Sequence, residues 1–177
     1  MAKKLIKYIT REEYEQILQH TLKQKKKNSK KLGLCMMLAF EAGLRISEIV
    51  GYIDRVPALT KDKIDMQQNS IRLENAKGGK DRIVPLPKRF NQGAYNMLPI
   101  TLNRRTLEYH VKKVGKSMLN KDIHFHTLRH GFGSHLAGMG RPIHEIQMLM
   151  GHSRLDTTGV YLHANPKKAI EGARDVF

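Results

Sequence analysis

Residues 30–42 constrain this chain most. They read as a helix that is apolar on too many sides to lie at a surface, so the other elements must cover it. Gly43 ends it. Cys35 lies within it and is the only cysteine of the chain. It reads as core packing. A lone cysteine excludes an internal disulfide and fits a reducing compartment. Immediately after Gly43, the segment Leu44-Arg45-Ile46-Ser47-Glu48-Ile49-Val50 opens another short helix. It sets a guanidinium among apolar residues at a helix junction. A buried arginine needs an anionic partner. Within the chain the choice is Glu41 or Glu48. Outside it, a phosphate oxygen suits the planar fork of the guanidinium.

Ahead of this helix, Thr10-Arg11-Glu12-Glu13 is a capping box, and Tyr14, Ile17, Leu18 and Leu22 follow at helical spacing. The spacing predicts a helix over residues 10–25, running into a lysine-rich segment at residues 23–31. That segment is either a solvated helix end or a contact to a phosphate backbone. Residues 53–62 read as loop. From Ile64 the pattern switches to period two, in Ser70-Ile71-Arg72-Leu73-Glu74 and in part in Arg82-Ile83-Val84-Pro85-Leu86. Lys77-Gly78-Gly79-Lys80-Asp81 between them forms the turn of a β-hairpin. Residues 90–100 read as loop. Helices are predicted over residues 104–118, with Leu107, Val111 and Val114 inward and a basic outer face, over 126–138, over 143–150 and over 156–163. Pro166 starts a short tail helix. The expected fold is mainly α (α+β): about seven helices with one small antiparallel sheet or hairpin.

The chain carries 32 Lys+Arg against 16 Asp+Glu, a formal net charge of +16. Such an excess is best explained by a polyanionic partner, with nucleic acid the first candidate and a membrane surface the second. No apolar run approaches the ~20 residues of a spanning helix. Residues 1–7 lack the apolar core of a secretory leader. The expected location is cytoplasmic, associated with the nucleoid.

Four side chains then suggest chemistry on a phosphate. His126 and Arg129 stand at i and i+3 in His124-Phe125-His126-Thr127-Leu128-Arg129-His130, on one helix face. His152 follows in Gly151-His152-Ser153, and Tyr161 in Thr157-Thr158-Gly159-Val160-Tyr161. Cleaving a phosphodiester needs a nucleophile, charge stabilisation on the non-bridging oxygens and a proton for the leaving alkoxide. Tyr161 can attack as a phenolate, although its free pKa of about 10 calls for nearby positive charge or a base. Arg45 and Arg129 can clamp the phosphorane. His126 can accept the phenol proton, His152 can donate to a phosphate oxygen, and a hairpin lysine can protonate the leaving 5′-oxygen. A covalent phosphotyrosine keeps the bond energy for resealing.

Five segments, in order, carry a family resemblance. Ala42-Gly43-Leu44-Arg45-Ile46-Ser47-Glu48-Ile49 looks like the first arginine box of the tyrosine recombinase (phage-integrase) family. Lys77-Gly78-Gly79-Lys80-Asp81-Arg82-Ile83-Val84-Pro85-Leu86 looks like its hairpin-lysine segment. His126-Thr127-Leu128-Arg129-His130 resembles the H-x-x-R box, Leu149-Met150-Gly151-His152-Ser153 the following His/Trp box, and Thr157-Thr158-Gly159-Val160-Tyr161 the nucleophile segment. The chain is most similar to the family's Xer-like catalytic domains.

The resemblance implies an integrase-type catalytic domain spanning residues 1–177, without the family's N-terminal core-binding domain. It implies a site-specific recombinase working through a 3′-phosphotyrosyl intermediate, as a tetramer on paired DNA sites, with accessory DNA-bending proteins as further partners. The catalytic set would be Arg45, Lys77, His126, Arg129, His152 and Tyr161, needing no metal and no cofactor. Lys80 is the second choice for the hairpin lysine. Lys80, Arg82, Arg104 and Arg105 are expected to contact DNA. In the family a tail such as residues 164–177 packs on a neighbouring subunit, with Ile170, Val176 and Phe177 suited to do so.

Each of these residues also has a plainer explanation. Arg45 fits a structural ion pair, His126 a satisfied core or capping histidine, His152 a helix cap, and Tyr161 between Val160 and Leu162 a core position. His124, His126 and His130 mimic metal-ligand spacing but lack a cysteine or acidic companion in the pattern. A type IB topoisomerase-like nicking-closing enzyme would share the chemistry. A non-catalytic DNA-binding module would share only the fold.

Overall fold

A computed structural model describes residues 8–53, 55–76 and 80–151. The elements are α1 (Arg11–Lys23), α2 (Ser29–Glu41), α3 (Ile46–Val50), a 3-10 turn (Lys61–Lys63), β1 (Ile64–Asp65), β2 (Ser70–Ala76), β3 (Lys80–Pro85), α4 (Gln92–Asn96), α5 (Arg104–Leu119), α6 (Phe125–Gly138) and α7 (Ile143–Met150). Among the described residues this makes seven helices and one three-stranded sheet, the expected class.

The capping box forms as read. Thr10 accepts from the Glu13 amide, and the Glu13 carboxylate accepts from the Thr10 amide at 3.1 Å. The helix stops at Lys23, two residues short of the expected end. The expected loop at 90–100 contains α4, because the Asn91 side chain accepts from the Ala94 amide at 3.0 Å and caps a single helical turn. The seventh helix of the sequence reading, at 156–163, lies outside the described residues, as does the tail.

α2 is the centre of the molecule. Leu32, Leu34, Cys35, Met36, Met37, Leu38, Ala39 and Phe40 are all buried. Helices α1, α3, α5 and α6 pack around it. Burial pushes the Cys35 thiol up to about 12, so the cysteine is a packing residue. Tyr14 of α1 stacks on Phe40 with ring centroids 4.0 Å apart, and its hydroxyl donates to Glu41 at 2.6 Å. Gly43 closes the helix with φ +69°. A side chain there would also strike the Phe132 ring, 2.6 Å from where its Cβ would stand. Only glycine meets both demands.

The sheet is antiparallel, in the order β1-β2-β3. Ile71 pairs with Val84 and Arg72 with Ile83, and the register shifts between Leu73 and Ala76. Alternation sends Ile71, Leu73 and Val84 into the core while Ile83 stands 61% exposed. The hairpin tip carrying Lys77 lies outside the described residues. No helix among the described residues is long and apolar enough to cross a membrane.

Candidate active site

The site is assembled where α3, α6, α7 and β3 meet. Arg45 is the residue just before α3, with extended backbone (φ −75°, ψ 147°). This turns its side chain back along the helix toward Glu48, one turn on. Glu48 accepts from the Arg45 amide at 2.7 Å and from its guanidinium at 2.9 Å. Of the two internal partners considered for Arg45, the structure therefore selects Glu48. Glu41 is committed elsewhere, to Tyr14 and to Arg89 at 3.0 Å. The second terminal nitrogen of Arg45 donates to the carbonyls of Gly151 at 3.2 Å and Met150 at 3.4 Å.

Arg129 reaches the same place from α6. It is only 2% exposed. One terminal nitrogen donates to the Gly43 carbonyl and the other to the Met150 carbonyl. The Gly43 oxygen is available because the left-handed turn releases it from the α2 ladder. The Met150 oxygen belongs to the last turn of α7, where carbonyls lack helical partners and carry the negative end of the helix dipole. Arg45 and Arg129 thus converge on one oxygen atom.

His126 opens onto solvent from the first turn of α6 and sets its ring edge-on to His130, centroids 4.1 Å apart. Partial loss of hydration, then the charges of Arg129 and Arg45, hold its imidazole below the ordinary value of 6.5. The shift favours the uncharged ring, the form able to accept a proton. The α6 N-terminus is held by Glu108 of α5, which accepts from the Phe125 amide at 3.2 Å.

Two residues behave differently from the sequence reading. Arg82, expected to touch DNA, is buried. It grips Glu48 with two bonds of 2.8 Å and donates from Nε to the Leu149 carbonyl at 3.0 Å. The alternation of Arg82 and Val84 on the core face of β3, continued by Leu86 just past its end, was the signal for this. Glu48 was considered only as a partner for Arg45, yet it is the hub of the site. Burial acts to raise its carboxyl pKa. The hydrogen bonds and charge of Arg82, and then Arg45, outweigh that and bring it to about 2.

Arg104 and Arg105 are exposed at the start of α5, with the Arg104 guanidinium 6.0 Å from the Tyr52 ring centroid. Lys80 begins β3, its backbone paired with Ala76. Lys77, His152 and Tyr161 lie outside the described residues. No three His, Cys, Asp or Glu side chains converge as metal ligands among the described residues.

Residues 7–168 match the model of the phage integrase family, and the chain belongs to that family. Among curated relatives, the tyrosine recombinase XerA of Thermococcus kodakarensis is 32% identical, over 91% of this chain and 59% of that protein. A tyrosine recombinase XerC of Pseudomonas syringae is 27% identical, over 79% of this chain and 54% of its own length. The chain thus spans between half and two thirds of these relatives. The fold is that of a crystal structure of XerA recombinase (TM-score 0.73, 22% identity, covering 99% of this chain and 65% of that one). It is also that of the catalytic domain of bacteriophage HP1 integrase (TM-score 0.65, 22% identity, 96% of this chain and 94% of that one).

Proposed function

We propose that this chain forms the catalytic domain of a tyrosine site-specific recombinase, which cleaves and rejoins DNA strands through a 3′-phosphotyrosyl intermediate. The observation that carries this reading is the convergence of Arg45 and Arg129 on the Met150 carbonyl, with His126 close enough to feel both charges. Two guanidiniums that share one oxygen are close enough to hold two oxygens of one phosphate. A shared fold with a XerH recombinase whose crystal structure holds its palindromic difH substrate supports duplex DNA as the partner.

In the proposed reaction the Tyr161 oxygen attacks the scissile phosphorus while His126 takes the phenol proton. Arg45 and Arg129 hold the non-bridging oxygens as charge builds on them, and His152 donates a further hydrogen bond there. The 5′-oxygen leaves with a proton from Lys77. A 5′-hydroxyl from a second strand reverses these transfers and releases the tyrosine, so the phosphodiester count is unchanged. No metal or nucleotide takes part in this scheme. Arg104, Arg105 and Lys80 are proposed contacts to the duplex. The proposed assembly is a tetramer on paired sites, with residues 164–177 packing on a neighbour and accessory DNA-bending proteins shaping the sites within the nucleoid.

A nicked duplex that loses its short 5′-hydroxyl fragment after cleavage traps the intermediate. With the cognate site, the expected result is a covalent protein–DNA adduct that forms in EDTA and is absent in Tyr161→Phe. No adduct from the wild-type protein overturns the reading.

A further inference from the structure

The proposed chemistry leaves Arg82 without a task, although it is a buried guanidinium with all three nitrogens engaged by the site. Its two terminal nitrogens each meet one oxygen of Glu48 at 2.8 Å, and Nε meets the Leu149 carbonyl at 3.0 Å. The Glu48 oxygens accept equally from Arg45: Oε1 from the guanidinium at 2.9 Å and Oε2 from the amide at 2.7 Å. Four donors therefore fill one carboxylate, two from each arginine.

The charges decide what this arrangement does. Arg45 and Glu48 alone form a neutral pair, and a carboxylate with spare acceptor capacity draws a guanidinium toward itself. Such a pair offers little to a phosphate. With Arg82 present the three side chains sum to one positive charge, and the Glu48 oxygens are already occupied. Arg45 is the more exposed of the two arginines, at 21% against 5% for Arg82. The surplus charge therefore faces outward through Arg45.

We propose that Arg82 is a positioning residue that occupies Glu48 and so leaves the charge and aim of Arg45 available to the scissile phosphate. Its third bond, to Leu149, ties the same device to the last turn of α7. Gly151 makes room for it. With φ +57°, a Cβ at that position would stand 3.0 Å from the Arg82 side chain. Arg82 thereby links the strand leading from the hairpin tip to the arginine pair, and does so without touching DNA. The role rests on the recombinase reading of the site.

The test measures single-turnover adduct formation on the nicked substrate, DNA affinity and thermal unfolding. Arg82→Met is expected to slow adduct formation by about 100-fold, the scale of a misplaced reacting group, with DNA affinity unchanged within about twofold. Glu48→Gln combined with Arg82→Met removes the carboxylate that cancels Arg45. It is expected to recover about tenfold or more of the lost rate. If Arg82→Met does not fold, the pair, which removes the buried Glu48 charge together with that of Arg82, stands alone, and folded protein within about tenfold of the wild-type rate supports the role.

A normal rate in Arg82→Met overturns the proposal. So does failure of Glu48→Gln to restore the rate, which marks Arg82 as packing only. A loss confined to DNA affinity marks Arg82 as a direct DNA contact and equally overturns it. Absence of an adduct from the wild-type protein instead removes the recombinase reading, and this role with it.

Discussion

Glu108 on α5 caps a helix it does not belong to. Its carboxylate accepts from the Phe125 amide at 3.2 Å, at the first turn of α6 and one residue before His126. A negative charge at a helix N-terminus is favourable both to the unsatisfied amides and to the dipole. Glu108→Ala is expected to cost about 1 kcal/mol in urea unfolding. Glu108 also lies close enough for its charge to raise the His126 pKa. The same variant should therefore lower the His126 titration midpoint, read from its ring proton by NMR.

The His126 pKa is held below 6.5 because partial loss of hydration and the two arginines disfavour its charged form. The pH–rate profile of adduct formation should accordingly have its acidic limb below the ordinary histidine range. Arg129→Gln removes one of the repelling charges and should move the NMR midpoint of His126 upward. The linkage to stability has a definite sign. Below 6.5 the unfolded chain binds more protons at this residue than the folded one. Its contribution to stability is complete above 6.5 and declines as the pH falls through that value toward the folded midpoint. A His126→Gln variant should therefore unfold with a shallower acid dependence in this window.

Gly43→Ala should be among the most damaging single-methyl substitutions in the protein. It meets a φ of +69° and the Phe132 ring at 2.6 Å. The expected loss is about 1–3 kcal/mol in chemical unfolding. Because the Gly43 carbonyl holds Arg129, adduct formation in the surviving folded fraction should also fall. An unaltered melting curve would contradict the packing described above.

Arg104 and Arg105 stand exposed at the start of α5. If each neutralises one phosphate, Arg104→Ala and Arg105→Ala should each reduce the slope of log affinity against log salt by about one. A fluorescence-anisotropy titration at several salt concentrations measures this.

The buried helix, the Thr10 cap and the hairpin were legible because each is a local pattern: apolar residues on every side, a capping box, and alternation about a glycine turn. The arginine pair was legible as chemistry but not as geometry. Nothing in the spacing of Arg45 and Arg129 says that both would point at the Met150 carbonyl, because that depends on where α7 ends in space. α4 was missed because the glycine and asparagines of residues 91–96 resemble a loop, and only Asn91 acting as a cap reveals the turn. Arg82 was misread for a different reason. Its place beside the hairpin suggested solvent and DNA. The period-two pattern it shares with Val84 and Leu86 pointed inward, and burial followed the pattern.

The placement of α2 bears on how the molecule comes apart. A helix covered on all sides cannot lose one neighbour and keep the rest, since each of α1, α3, α5 and α6 screens a different part of it from water. Local opening of any of them wets the middle of the domain, so unfolding should be a single cooperative event. Arg45, Glu48, His126 and Arg129 sit on elements that share this dependence directly or through α6. The arginine cluster is therefore either whole or absent, and a partly unfolded species would have no residual grip on a phosphate.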